Sequence, residues 1–228
     1  MIQIKTYLKM NKVLIVVAHN DDEVLGCGGT ISRHIKDGDE VRVLIATKGT
    51  VERDFYLPNL KDIRNQSIKA NSILGVRKEN VFNLGFPDQR LDTISEVDLN
   101  KSIEYHVNEF KPNIVYTHFS NDLNKDHELV SKSCRVACRT TEGNSVNELY
   151  EFPVVSSSNF NCVGNEFEGD TYIDITDFIE NKKNAMKCYE EEVSKLRSDY
   201  SIEVTAMFYG LNVGHKFSEV FKTIRRRV

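Results

Sequence analysis

The sequence predicts an α/β fold in which a mostly parallel β-sheet is covered by helices on both faces. Runs rich in β-branched apolar residues, such as KVLIVVAH at 12–19 and EVRVLIAT at 40–47, are typical of strands buried on both faces. Segments with apolar residues at helical spacing follow these runs, and they end at a glycine or before a proline. This alternation favours parallel strands that are joined by crossover helices.

The first 155 residues supply the elements of that sheet. Strands are predicted at 12–19, 40–47, 80–86, 113–120 and 149–155. Between them, helical patterns cover 26–37, 60–74, 96–110 and 127–140, and the first three stop at Gly38, at Gly75 and before Pro112. Joined by right-handed crossovers, these elements predict a Rossmann-like, doubly wound sheet of strand order 3-2-1-4-5.

The pattern is less regular after Val155 and predicts a C-terminal α/β extension. Its expected elements are a short strand at 171–176, helices at about 177–197 and 201–210, and an edge strand at 218–227. No internal repeat and no low-complexity linker interrupts the sequence. We therefore expect a single domain over 1–228, with a core at 1–155 and a C-terminal subregion at 156–228.

Composition narrows the classes of function. With 228 residues, 40% of them hydrophobic, the chain is long enough for one sizeable core. A net charge of −4 and a pI near 5.9 argue against a broad basic surface for nucleic acid. The sequence shows neither a signal-peptide pattern nor a run of about 18 apolar residues, so we expect a cytoplasmic protein without a transmembrane segment. The five cysteines lack the paired spacing of structural zinc sites, and we expect them to be reduced and packed.

Candidate metal ligands cluster after two of the predicted strands. Strand 1 is followed by HNDDE at 19–23, and strand 4 by a segment that holds His118, Asp122, Asp126 and His127. In a sheet of order 3-2-1-4-5 the order reverses between strands 1 and 4, which is where open α/β sheets bind ligands. Two imidazoles and a carboxylate suit a first-row divalent ion such as zinc, and a second carboxylate nearby can act as a general base. The sequence therefore predicts a catalytic metal site between these loops.

Other interpretations start from the same residues. HNDDE could instead be a helix N-cap cluster in which Asp22 or Glu23 stabilises the helix dipole. The glycines of GCGG at 26–29 could cradle a phosphate, but GxGxxG would require a glycine where Ile31 stands, and helix–strand packing is the simpler role. A nucleophilic mechanism lacks its signature, because no GxSxG is present and Cys27 lies inside a helical pattern.

Two motifs, AHNDDE at 18–23 and THFSNDLNKDH at 117–127, resemble the two signatures of the PIG-L/LmbE-type metal-dependent N-deacetylases. The first resembles the family's A-H-P-D-D-E, and the second resembles its later motif, which ends in D-H. The resemblance continues through GCGGT, NLGFPDQRLD and the C-terminal stretches at 182–193 and 210–226, so it covers most of the chain. It implies a metal-dependent hydrolase with the fold predicted above.

The resemblance implies roles for individual residues. His19, Asp22 and His127 match the family's metal ligands. Asp21 matches its general base, which activates the attacking water, and Arg64 matches an arginine that holds the substrate. The implied cofactor is Zn²⁺ or another divalent first-row metal.

Three further positions bear on the substrate and on proton transfer. Asp88 stands where the family places an acid near the sugar hydroxyls, and Asn20 replaces the usual proline, which only stiffens the turn. Asn124 replaces a histidine that many members have three residues before the ligand histidine. Asparagine can donate a hydrogen bond to an oxyanion but cannot shuttle a proton. If the reaction needs a second proton-transferring group, Asp21 would act as both base and acid, or His118 would come close enough to take this part.

The sequence as a whole predicts a zinc-dependent hydrolase that removes an N-acetyl group, or alternatively a formyl group, from an amino sugar or its nucleotide- or lipid-linked conjugate. The resemblance also connects this form of the second motif with surface-polysaccharide biosynthesis. Two alternatives stay open, namely a metal-dependent amidase for a different N-acyl substrate and a non-catalytic sugar- or nucleotide-binding module. We expect no nucleic-acid partner, and an oligomer is compatible with the sequence.

Overall fold

The computed structural model describes residues 10–49, 63–155, 157–158, 166–190 and 192–228. Its strands are β1 (Lys12–Val17), β2 (Glu40–Thr47), β3 (Val81–Phe86), β4 (Ile114–His118), β5 (Glu148–Phe152), β6 (Thr171–Asp174) and β7 (Ser218–Arg226). Its helices are α1 (Asp22–Lys36), α2 (Ile63–Ile73), α3 (Glu96–Phe110), α4 (Lys125–Ala137), α5 (Ile179–Met186) and α6 (Asp199–Leu211). Within these ranges, every helix is too short or too polar to cross a membrane.

The strands form one seven-stranded sheet of order β3-β2-β1-β4-β5-β7-β6. β1 to β5 run parallel, so the predicted order 3-2-1-4-5 and the mostly parallel sheet are confirmed. β7 pairs antiparallel with β5, and β6 pairs antiparallel with β7. The C-terminal residues therefore add two strands on the β5 side of the sheet, and each of these strands pairs antiparallel with its neighbour on the β5 side.

The prediction of an edge strand at 218–227 is wrong, because β6 lies outside β7. β6 pairs only with residues 218–221 of β7, and these four residues are buried. Beyond Phe221, β7 has no further partner on that side among the described residues, and its side chains become half-exposed. Only the second half of β7 therefore has the exposure expected of an edge strand.

Each face of the sheet carries its own apolar core. Successive residues of β1 and the position after it alternate between the two cores, as the period of a strand requires. Val13, Ile15 and Val17 belong to the core that α1, α2, α5 and α6 cover, whereas Leu14, Val16 and Ala18 belong to the core under α3 and α4. The central strand is therefore buried on both faces, and its carboxyl end carries the polar motif.

The C-terminal helices differ from the prediction in one place. α6 corresponds to the helix predicted at 201–210, but the helix predicted at about 177–197 ends at Met186. After Met186 the chain turns so that the Tyr189 ring is buried and its hydroxyl reaches Glu23 in α1. Burial of this ring outweighs the helical preference of the following residues. The turn also lets Arg197 reach the end of β1.

The glycines after the end of β1 allow α1 to pack closely against its neighbours. A Cβ on Gly26 would lie 2.1 Å from the Phe152 ring, and one on Gly29 would lie 2.7 Å from Ile175. Between them the backbone of Cys27 departs from helical geometry, with φ −146° and ψ 24°. These contacts confirm the packing role predicted for GCGG.

Replacing Gly26 by alanine should destabilise the fold more than the same change at Gly28. At Gly26 the added carbon would enter the Phe152 ring, while at Gly28 its nearest neighbour is Cγ of Lys182 at 3.3 Å. We expect Gly26→Ala to lower the free energy of unfolding by about 1–3 kcal/mol. Equilibrium unfolding in urea measures the difference, and equal stability of the two variants would contradict the packing role.

Candidate metal centre

The loops after β1 and β4 meet at the carboxyl end of the sheet, where the strand order reverses. β1 ends at Val17, and Asp21 adopts a left-handed backbone conformation with φ 96° before α1 begins at Asp22. Aspartate is one of the few residue types besides glycine that tolerate this conformation. The second loop leads into α4, whose first turn contains His127. The two motifs are therefore side by side, as the predicted topology requires.

The three residues predicted as metal ligands form a small triangle. His19 Nδ1 lies 3.1 Å from His127 Nε2 and 3.3 Å from Asp22 Oδ2. His127 Nε2 lies 3.3 Å from Asp22 Oδ2. Three ligands of a tetrahedral ion with bonds of about 2.0–2.1 Å would be about 3.3 Å apart, so the triangle has a size that fits zinc.

Each imidazole of the triangle is supported by a carboxylate behind it. His127 Nδ1 lies 3.2 Å from Asp122 Oδ2, and His19 Nε2 lies 3.1 Å from Asp126 Oδ2. With its proton on the nitrogen that faces the carboxylate, each ring would turn the lone pair of its other nitrogen towards the triangle. Metal-binding histidines are commonly oriented in this way, so the donor set and its surroundings both fit a metal ion.

The surroundings of the triangle favour positive charge. Burial alone would lower the pKa of His19, but hydrogen bonds with Asp126 and Asp22 raise it to about 10. Burial also opposes the charge on His127, while Asp22 and Asp122 raise its pKa to about 9. A divalent cation would supply the same positive charge to the same carboxylates.

Asp21, the predicted general base, lines the same cavity as the triangle. Arg197 Nη1 lies 2.6 Å from Asp21 Oδ2 and also contacts Glu192. Burial and the adjacent Asp22 carboxylate raise the pKa of Asp21 well above its usual range, and the Arg197 guanidinium partly opposes that shift. Arg197 thus fixes one oxygen of Asp21 and offsets part of its charge.

The sequence carries no signal for Arg197, because its contact with Asp21 joins positions 176 residues apart and no motif marks it. Arg64, the arginine that the family resemblance selects, is exposed on α2 and makes no hydrogen bond or ion pair within the described residues. The role predicted for Arg64 stays a prediction. The structure adds Arg197 as an arginine that lines the cavity.

Glu23, the last residue of HNDDE, is fully buried and holds the backbone of the turn. Its Oε2 accepts the N–H of Asp21 at 3.1 Å, and its Oε1 accepts Asn71 Nδ2 at 2.8 Å and the Tyr189 hydroxyl at 2.5 Å. Burial raises the pKa of Glu23 to about 7, although the hydrogen bond from Tyr189 opposes the shift. Glu23 therefore connects α2 and the segment after α5 to the backbone of Asp21, a larger role than that of a helix-dipole partner.

Asn124 caps α4 and lines the cavity. Its Oδ1 accepts the backbone N–H of Asp126 at 3.0 Å, which leaves Nδ2 to face Gln89 Oε1 at 3.5 Å. The amide nitrogen of Asn124 is therefore a hydrogen-bond donor at the cavity wall. This orientation fits the donor role predicted for Asn124, and its part in catalysis stays a prediction.

Asp88 follows β3 and is buried beside His19. Its Oδ1 lies 3.3 Å from His19 Nε2, and Gln89 Nε2 lies 3.0 Å from the same nitrogen. Asp88 and Gln89 both line the cavity, and sequence reasoning singled out only Asp88. His19, Asp88 and Asp126 also form a second group of side chains close enough to hold an ion. Use of His19 Nε2 as a donor to these carboxylates leaves Nδ1 for the triangle.

His118 does not line the cavity, and the part in proton transfer considered for it stays a prediction. Its ring is fully buried, and Nε2 accepts the backbone N–H of Ala18 at 2.9 Å. Burial, together with His127, lowers its pKa to about 4, so the ring is neutral at physiological pH. As the last residue of β4, His118 points into the core, where its ring stacks on His127 with 4.0 Å between centroids.

The glycine-rich part of α1 has no free site for a phosphate. The N–H groups of Gly29 and Thr30 donate to the Glu219 carboxylate of β7 at 2.9 and 2.7 Å. Lys182 balances this carboxylate at 2.6 Å. A side chain of the protein therefore occupies the position that a phosphate would need, which removes the phosphate-loop interpretation.

The two motifs meet in a candidate metal centre, and comparison with known families identifies the class of protein. Residues 14–138 match the PIG-L family, described as GlcNAc-PI de-N-acetylase. The match spans more than half of the chain and includes both motifs, so the chain belongs to the PIG-L family. It is a hydrolytic N-deacetylase, and metal dependence is typical of this family.

Two relatives carry deacetylase names. The uncharacterized deacetylase YaiS of Escherichia coli (strain K12) is 30% identical over 140 residues, which are 58% of this chain and 70% of that protein. The diacetylchitobiose deacetylase of Thermococcus kodakarensis is 26% identical over 224 residues, which are 92% of this chain and 82% of that protein.

Solved structures share the fold. The N,N'-diacetylchitobiose deacetylase from Pyrococcus horikoshii aligns with a TM-score of 0.77 and 20% identity, over 94% of this chain and 84% of that chain. GalB, the 4-carboxy-2-hydroxymuconate hydratase from Pseudomonas putida KT2440, aligns with a TM-score of 0.76 and 20% identity, over 96% of this chain and 98% of that chain. Because one of them is named as a hydratase, likeness at this level defines the fold and not the reaction.

Proposed function

We propose that this chain is a zinc-dependent N-deacetylase that removes the acetyl group from an N-acetylated amino sugar or from a conjugate of such a sugar. The observation that carries the proposal is the triangle of His19, Asp22 and His127 with Asp21 in the same cavity. A binding module would not need a buried carboxylate next to a set of metal ligands. The name of one relative, a diacetylchitobiose deacetylase, supports a sugar substrate.

Zinc, or another divalent first-row ion, would be held by His19 Nδ1, Asp22 Oδ2 and His127 Nε2. Such an ion lowers the pKa of a water molecule and polarises the carbonyl of an amide when it is bound. The carboxylates of Asp122 and Asp126 would keep both rings in the orientation that binding requires.

Asp21 would move the proton in this reaction. Arg197 holds Asp21 Oδ2, so Oδ1 would accept the proton from the attacking water. His118 is buried and neutral, and Asn124 cannot carry a proton. Asp21 would therefore also return the proton to the leaving amine, acting first as a base and then as an acid.

Asn124 and Asp88 would bind the reacting end of the substrate. Asn124 Nδ2 would donate to the carbonyl oxygen and stabilise the negative charge that develops there. Asp88 would accept hydrogen bonds from sugar hydroxyls, and Arg64 would hold a part of the substrate outside the cavity.

The proposal extends to the substrate carrier and the cellular setting. The DLNKDH form of the second motif supports a role in surface-polysaccharide biosynthesis, for which the amino sugar would be nucleotide- or lipid-linked. A cytoplasmic location agrees with the unpaired, buried thiols of Cys27, Cys134, Cys138 and Cys188.

Removing one ligand of the triangle should remove the ion. We expect the purified protein to bind close to one zinc or similar ion per chain, and His127→Ala to lose it, because two remaining donors hold an ion weakly. Elemental analysis by mass spectrometry after dialysis measures the ratio. His215→Ala is the matched control, since this histidine hydrogen-bonds Ser218 and should not affect metal content. An unchanged ratio in His127→Ala would contradict the ligand assignment.

Asp21→Asn should keep the ion but lose turnover. Asparagine also tolerates a left-handed backbone, so the substitution removes the proton acceptor with little disturbance of the turn. We expect the release of acetate and free amine to fall about 10²–10⁴-fold at unchanged metal content. The substrates are N-acetylglucosamine, diacetylchitobiose and their nucleotide- and lipid-linked forms.

Two outcomes of this assay separate the parts of the proposal. If the metal-loaded wild type deacetylates none of these sugars but cleaves another N-acyl amide, the sugar assignment fails and the hydrolase stands. If Asp21→Asn keeps wild-type turnover on any of them, the assignment of Asp21 as the base fails.

Arg197 and Arg64 should affect different kinetic constants. Arg197→Ala removes a hydrogen bond between charged groups at Asp21, so kcat should fall about 10–100-fold, the equivalent of about 1.5–3 kcal/mol. Arg64→Ala, at an exposed position on α2, should raise KM and leave kcat nearly unchanged. Steady-state kinetics of both variants tests the split. A normal kcat in Arg197→Ala would show that Asp21 does not depend on this contact.

A further inference from the structure

The helix α6 is apolar on both of its sides. Its inner side is buried against the rest of the molecule through Ile202, Ala206 and Gly210. Its outer side carries exposed apolar residues, here called the α6 stripe, which are Tyr200, Val204, Met207, Phe208 and Leu211. A surface helix ordinarily has a polar outer side, and a helix that is apolar all round is ordinarily covered all round.

The α6 stripe is continuous and strongly exposed. At 100° per residue, its five members fall within an arc of about 100°. Tyr200 is 77% exposed, Leu211 72% and Phe208 62%. Together the stripe offers about 500–600 Å² of apolar surface, at the upper end of what monomers expose and approaching the roughly 800 Å² that each partner buries in a standard interface.

The outer side of helix α4 has the charged composition that is usual for a surface helix. α4 presents Lys125, Glu128, Lys132 and Arg135 to solvent, with between 41% and 60% of each side chain exposed. Lys125 pairs with Glu128 and Lys132 with Glu96 on the surface, as is usual for a solvated helix. The outer side of α6 lacks such pairs and differs from α4 in this respect.

The charges next to the α6 stripe are neutralised within the chain. Asp199 pairs with Lys187 at 2.8 Å, and Glu203 pairs with Lys183 at 3.3 Å. α6 itself contains no lysine and no arginine. Two copies of the stripe can therefore approach each other without bringing unpaired like charges together.

We propose that a second copy of this chain covers the α6 stripe, with the two α6 helices packed antiparallel across a two-fold axis. Such a contact is self-complementary. It sets Tyr200 against Leu211 of the second copy, and it sets Val204 against Met207 of the second copy close to the axis.

A lipid bilayer fits the α6 stripe less well than a second copy does. Helices that lie on membranes carry lysine and arginine beside their apolar side, where these residues contact the headgroups. α6 carries none, and its only charged residues are the acids Asp199 and Glu203.

Sedimentation velocity over a range of protein concentrations tests the proposal. We expect the wild type to sediment at twice the chain mass of 26.2 kDa and Phe208→Asp, which places a charge in the stripe, to sediment as a monomer. Tyr105→Asp is the matched control, because Tyr105 is 66% exposed on α3, outside the stripe, and this variant should stay dimeric. Far-UV circular dichroism and metal content report whether each variant is folded.

The antiparallel register has its own test. Tyr200→Lys and Leu211→Asp should each weaken the dimer when introduced alone. Combined in one chain they should restore it, since antiparallel packing brings each lysine next to an aspartate of the second copy. The two positions are eleven residues apart on one helix, about 16 Å, so they cannot pair within a chain.

Several results would overturn the proposal. A monomeric wild type at all concentrations would do so, as would an unchanged mass for Phe208→Asp or a combined variant that stays monomeric. A flotation assay with vesicles of phosphatidylcholine and phosphatidylglycerol tests the membrane alternative. Binding of a monomeric wild type to vesicles, lost in Phe208→Asp, would assign the stripe to a bilayer instead.

Discussion

Three carboxylates lie in one buried turn, and each of them has a different partner. Asp21, Asp22 and Glu23 are at most 2% exposed, and like charges so close together destabilise a fold unless each is compensated. Asp22 faces three imidazoles, Asp21 is held by Arg197, and Glu23 accepts a hydrogen bond from Tyr189. Because their partners differ, the three groups can do different work: one binds an ion, one carries a proton and one holds the backbone.

The partners of this turn come from distant parts of the chain, so the whole fold is needed to assemble it. The neighbouring strand β4 and helix α4 bring His127, the turn after α5 brings Tyr189, and the segment before α6 brings Arg197. The early end of α5 is part of the same arrangement, because a continuous helix would leave Tyr189 without its contact to Glu23. The proposed dimer would pack on α6, which begins two residues after Arg197, and would restrain that segment.

The part of the site that follows from local patterns could be predicted from the sequence, and the part that depends on distant contacts could not. The order of β1 to β5 follows from strand–helix alternation, and adjacent parallel strands necessarily bring the loops of His19 and His127 together. The contact of Arg197 with Asp21 depends on where α5 ends, which no local pattern fixes. His118 shows the opposite case: the motif places it among the ligands, but its ring is buried behind the triangle and does not line the cavity.

We propose that His19, Asp22 and His127 hold one metal ion through two imidazole nitrogens and a carboxylate oxygen. X-ray absorption spectroscopy of the purified, metal-loaded protein measures this ligand set directly. We expect nitrogen and oxygen ligands at about 2.0–2.1 Å from the ion, with additional scattering from two imidazole rings at longer distance. A sulfur ligand at about 2.3 Å, or a shell without imidazole scattering, would contradict it.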